Sequence, residues 1–134
     1  MNEVLARLPD LSTNERLAVN KFMDNLKQDY SHAVFQVLIY GSSILGERSS
    51  DSDIDLLIIT RDDNWREHEP IRFLAARLSN EYEVFLSIRL MSLARFRNLR
   101  TIQPFFFQNI QQESLELIRL SNKPDLVKPQ PQPG

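Results

Sequence analysis

Residues 37–60 read VLIYGSSILGERSSDSDIDLLIIT. Two apolar runs flank a polar connection. Ala33–Tyr40 is β-branched, aromatic and apolar, the composition of a strand buried on both faces. Ile54–Thr60 is a second such run. Strands covered on both sides need helices above and below them, so this stretch decides the fold class. The connection from Gly41 to Asp53 holds two of the chain's three glycines, Gly41 and Gly46. One short helical turn is expected around Ser43–Leu45.

Outward from there, the pattern changes to helical spacing. Leu11–Tyr30 reads as a helix, with Ala18, Phe22 and Leu26 on one stripe and Val19, Met23 and Tyr30 beside it. Ser12 and Glu15 have capping-box spacing, each able to satisfy an orphan amide at the helix start. After the break at Asp62-Asp63-Asn64, Ile71, Leu74, Ala75 and Leu78 mark an amphipathic helix, with Pro70 in its first turn. Glu83–Leu90 is expected as a third strand. Ser92 caps a short helix through Leu99, Pro104 opens another over Phe105–Gln112, and Leu115–Leu120 closes as a strand. From Ser121 the chain holds four of its seven prolines, which suit neither helix nor ladder. The reading is an α/β (α+β) fold, one domain over residues 1–120, with a Pro-rich, disordered tail over 121–134.

The 134 residues suffice for one real core. A formal net charge of −2 gives no general drive toward nucleic acid or an anionic membrane. The absence of cysteine excludes disulfides and thiolate metal sites. No apolar run reaches membrane-spanning length, and the N-terminus lacks the charged-then-apolar layout of a secretory signal. A cytoplasmic protein is expected.

The chemistry concentrates in the quoted stretch. Asp53 and Asp55 are two residues apart at a strand start, so both carboxylates face one way. They repel each other unless a cation lies between them, and hard divalent ions are held by one or two carboxylates together with substrate phosphates. Gly41 directly follows a strand, where glycine permits a sharp turn and close approach of a ligand to the main chain. Ser42 adds a hydroxyl at the start of a helical turn whose amides favour phosphate. Gly-Ser and Asp-x-Asp are each common alone. Joined by ten residues between two buried strands, they point to a triphosphate site and its escorting metal.

At Gly41-Ser42 and Asp53-Ile54-Asp55 the sequence resembles the nucleotidyltransferase superfamily that includes DNA polymerase beta, aminoglycoside nucleotidyltransferases and the minimal nucleotidyltransferase proteins. Gly46 and SDIDLLIIT share the likeness, and a softer likeness over PFFFQNIQQESLELIRL extends it to residues from about 10 to 120. The resemblance implies a mixed β-sheet with helices packed on it. It implies nucleotide binding by Gly41, Ser42 and Ser52, and metal binding by Asp53 and Asp55, with two Mg²⁺ ions in the active complex. The implied reaction moves a nucleoside monophosphate, AMP from ATP, to a hydroxyl of a protein or small molecule and releases pyrophosphate.

Catalytic members of that superfamily carry a third carboxylate on a later strand. In EVFLSIRL the central positions hold Phe85 and Ser87, so Glu83 is the candidate and Glu81 the fallback. Two readings of Glu83 stand: a catalytic metal ligand, or a solvated charge at a strand start. Leu45 replaces a basic residue common before the second glycine, and Arg48 is the nearest substitute. If the third acid is missing, the alternative is a catalytically degenerate binding protein, such as the antitoxin of a toxin–antitoxin pair. The partners implied are a nucleoside triphosphate and a protein, either a helical toxin or an adenylylation target, with a homodimer as a further arrangement. Elsewhere, His32 and His68 are expected to be solvated, Phe105, Phe106 and Phe107 covered by flanking elements, and Arg95, Arg97 and Arg100 a solvated face.

Overall fold

A computed structural model describes residues 1–41 and 52–120. The chain runs α1 (Glu3–Arg7), α2 (Thr13–Asp29), β1 (Val34–Tyr40), β2 (Ile54–Thr60), α3 (Trp65–Tyr82), β3 (Leu86–Ser92), α4 (Leu93–Ile102), α5 (Pro104–Gln112) and β4 (Ser114–Arg119). The expected Ser43–Leu45 turn and the tail from Ser121 lie outside the described residues.

The strands form one mixed sheet in the order β3-β2-β1-β4. β1 pairs antiparallel with β2 and β4, and β2 pairs parallel with β3. A parallel pair needs a long crossover, and α3 supplies it. Alternation along the strands divides the core in two. Val37, Ile39, Leu56 and Ile58 pack with Phe22, Leu26, Ile71 and Leu78 beneath α1–α3. Leu38, Leu57, Ile59 and Met91 pack with Phe96, Leu99 and Ile110 beneath α4 and α5. Both central strands are therefore buried on both faces, as their composition predicts.

Local chemistry explains most boundaries. The Ser12–Glu15 capping box is formed at the start of α2, with both reciprocal hydrogen bonds present. Ser92 caps α4, and Pro104 opens α5. Short α1, not anticipated from the sequence, is capped by Asn2, whose side chain also donates to the Leu117 carbonyl at 2.7 Å.

Four expectations need correction. α3 begins at Trp65 because Asn64 caps it, so Pro70 lies inside the helix and not in its first turn. Helix α3 also runs on to Tyr82, which moves the third strand to Leu86–Ser92. Glu83 takes a left-handed cap at φ 55°, and Val84 N–H donates to the Ser79 carbonyl at 2.9 Å. Ser79 Oγ donates to the Ala75 carbonyl at 2.7 Å and accepts from Leu86 N–H at 3.1 Å, so helix closure sets where β3 starts. His68 is buried, its Nε2 3.0 Å from Thr60 Oγ1, because the Asn64-capped start of α3 turns it onto the end of β2. Phe105 is 82% exposed while Phe106 and Phe107 are half-buried, since three consecutive helical positions cannot share one face.

Ser79→Ala removes the acceptor for Leu86 N–H at the mouth of β3. It is expected to cost about 1–3 kcal/mol, the range for a polar group left unpaired, read from denaturant unfolding.

Candidate active site

The site lies at the end of the sheet where β1 stops and β2 and β3 begin. Gly41 follows β1 with φ +76°, in the left-handed region that only glycine enters freely. Space demands glycine as well. A Cβ at this position would collide with Asp55 Oδ2 and lie 3.3 Å from Asp55 Cγ. The Asp55 carboxylate thus rests against the Gly41 backbone. Antiparallel pairing brings them together, because Tyr40 stands directly opposite Asp55.

Asp55 is half-buried as the second residue of β2. Asp53 is exposed just ahead of the strand, and Ser52 is half-buried beside it. Two carboxylates with this spacing, at the open end of an apolar strand, are a hard-oxygen donor pair. They fit one divalent ion whose other ligands are phosphate oxygens and water. Among the described residues no group of three or more His, Asp and Glu side chains is placed to hold a metal ion. Ser42, Gly46 and Arg48 lie outside the described residues.

The neighbouring strand supplies no acid at this level. Parallel register sets Ser87 opposite Asp55, and Phe85, one step ahead of β3, accepts Ile54 N–H at 2.8 Å. Strand alternation does not carry Glu83 onto the Ser87 face, because Glu83 is the exposed C-cap of α3 and not a strand residue. Glu81 lies within α3 and is exposed. Neither histidine joins the site: His68 packs at the far end of β2, and His32 Nε2 lies 3.7 Å from Glu67 Oε1. Arg95 meets Asp63 at 3.6 Å, and the Arg100 guanidinium covers the Phe107 ring.

Three residues that the sequence did not assign to the site, Tyr40, Arg89 and Phe106, complete its wall. Tyr40, on the same face as Asp55, packs edge-to-face on Phe106 with ring centroids 6.0 Å apart. Arg89 of β3 lies 4.4 Å over the Phe106 ring, and its charge acts on the Tyr40 hydroxyl. The signals were there: Tyr40 directly precedes Gly41, and Arg89 interrupts an otherwise apolar LSIRLM. Burial pushes the Tyr40 phenol above its ordinary value of 10.0, the Asp55 charge adds to the rise, and Arg89 opposes it.

A sequence profile described as the nucleotidyltransferase domain matches residues 19–126. The chain belongs to the nucleotidyltransferase domain family. MJ0604 of Methanocaldococcus jannaschii, named provisionally as a protein adenylyltransferase, is 35% identical over 46 residues. That match covers 34% of this chain and 46% of MJ0604, so this nucleotidyltransferase chain aligns with less than half of its relative. Similar solved structures include a toxin–antitoxin crystallised with AMP-PNP, 22% identical, covering 75% of this chain and 72% of that one at a TM-score of 0.48. Another is the tri-AMPylated Shewanella oneidensis HEPN toxin with its MNT antitoxin, 21% identical, covering 78% and 71% at a TM-score of 0.43. Among the described residues no helix is long and apolar enough to cross a membrane.

Gly41→Ala must hold alanine in the left-handed region against the Asp55 carboxylate. The conformational cost alone is about 1–2 kcal/mol, and denaturant unfolding is expected to show at least that loss. Tyr40 gives a second expectation. Its raised value means that the folded state holds the phenolic proton more tightly than the unfolded state. That stability is fully present below the unfolded value near 10.0 and is lost as pH rises through the folded value. Tyr40→Phe is therefore expected to flatten the alkaline fall in stability, followed by thermal melts across that range.

Proposed function

We propose that the protein is a divalent-metal-dependent nucleotidyltransferase that moves AMP from ATP to a hydroxyl of a protein acceptor. The observation that carries this reading is the packing of Asp55 against Gly41 with Asp53 beside it. It joins the two halves of the Gly-Ser and Asp-x-Asp pattern at one end of the sheet. Family membership supports transfer of a nucleotidyl group, and the name of MJ0604 supports AMP and a protein acceptor.

Asp53 and Asp55 hold the ion, Mg²⁺ in this reading, which when bound neutralises phosphate charge. In this reading Ser42 and Ser52 are the residues that contact the phosphates. The acceptor oxygen bonds to the α-phosphorus, the α–β P–O bond breaks, pyrophosphate leaves with the electron pair, and the hydroxyl proton passes to water. The protein's own contribution is placement and charge stabilisation.

One observation favours a second reading. Among the described residues β3 presents Ser87 and Arg89 on the Asp55 face, with no carboxylate. A chain so built binds nucleotide without turnover and acts as a binding protein, such as an antitoxin, through a protein partner. Incubation with Mg²⁺, α-labelled ATP and cell extract separates the two. Transfer of label to a protein is expected for the wild type and absent for the Asp53→Asn/Asp55→Asn double variant. Label that persists in the double variant rejects the site. Nucleotide binding without transfer supports the second reading.

A further inference from the structure

We propose that Arg89 is a phosphate-binding residue of this site, its guanidinium held over the Phe106 ring that Tyr40 braces, so that it meets the polyphosphate of the nucleotide beside Asp55. The proposal rests on the nucleotide reading above and adds a residue to it.

β3 is the edge strand next to β2, and on the Asp55 face it presents Ser87, Arg89 and Met91 in succession. Ser87 stands level with Asp55 and Arg89 with buried Leu57. Arg89 is exposed, yet its head group is held on an aromatic surface. The Phe106 ring lies 4.4 Å beneath it. Tyr40 and Phe106 brace each other edge-to-face, so the three side chains from β1, β3 and α5 gather at one place.

An exposed arginine ordinarily loses considerable rotamer freedom when it binds a ligand. Here the aromatic face imposes part of that order beforehand, which lowers the cost of binding. No carboxylate among the described residues pairs with Arg89. A guanidinium carries five donors in a planar fork. A positioned, permanently charged fork, unpaired with any carboxylate among the described residues and beside the carboxylates expected to hold the metal, suits a bidentate phosphate. Tyr40 links the two charges, since its hydroxyl feels both Asp55 and Arg89. Anionic and cationic groups thus flank one oxygen at the mouth of the sheet, and a metal-bound polyphosphate is complementary to both.

Calorimetric titration of the whole chain with ATP, pyrophosphate and adenosine, each with Mg²⁺ and with a chelator, tests this. Arg89→Gln is expected to weaken ATP and pyrophosphate binding about tenfold or more, the usual worth of a hydrogen bond to a charged group. The loss is expected with and without the metal, with adenosine unaffected. Arg89→Lys, which keeps the charge and loses the fork, is expected to fall between. Unchanged ATP and pyrophosphate affinity in Arg89→Gln, with the wild type binding both, overturns this proposal alone and leaves Arg89 as a brace for Phe106. Equal weakening toward adenosine also overturns it, because the effect then does not involve phosphate. A wild type that binds neither ATP nor pyrophosphate overturns this proposal and the nucleotide reading together. Thermal melts of both variants are expected to match the wild type, since Arg89 is exposed.

Discussion

The close approach of the Asp55 carboxylate to the Gly41 backbone is the contact on which the site depends. It exists because one residue has no Cβ and accepts a positive φ. Any side chain at Gly41 has to displace the carboxylate or the strand that carries it. Both strands are buried on two faces, so neither moves without disturbing a core layer. A constraint of one atom at the end of the sheet is thereby tied to the packing of the whole molecule.

The remaining parts follow from how the sheet is stitched. β2 lies between an antiparallel and a parallel neighbour, which brings Tyr40 to one side of Asp55 and Ser87 to the other. Helix α3 is the crossover that makes the parallel pair, and its left-handed cap at Glu83 fixes which residue of β3 arrives level with Asp55. Had the helix ended one turn earlier, a different residue would stand there. The character of the site, a carboxylate on β2 beside a serine and an arginine on β3, is a consequence of helix closure as much as of side-chain chemistry.

Polarity is divided across this small surface. Asp53 and Asp55 carry negative charge at the start of β2, and Arg89 carries positive charge two positions along β3 from Ser87. Tyr40 and Phe106 lie between and beneath, giving the charges an apolar floor. Charge on a low-dielectric wall acts over a longer range than charge in open water, and a ligand with several phosphate oxygens benefits from both signs once a metal is bound.

The sequence by itself determined the two buried strands, the capping box of α2, the start of α5 and the glycine that follows β1. Each is written in local composition or short spacing: β-branched runs, Ser-x-x-Glu, a helix-opening proline, and a glycine after a strand. Tertiary structure decided the rest. No periodicity in EYEVFLSIRL says that Glu83 is a helix cap, because the outcome depends on Ser79 capturing Leu86 N–H across the turn. No local signal joins Tyr40, Arg89 and Phe106, which meet only when β1, β3 and α5 pack over the same core layer. Local chemistry specifies elements and motifs within reach of a few residues. Register and layer packing, which act between distant parts of the chain, decide which side chains share a site.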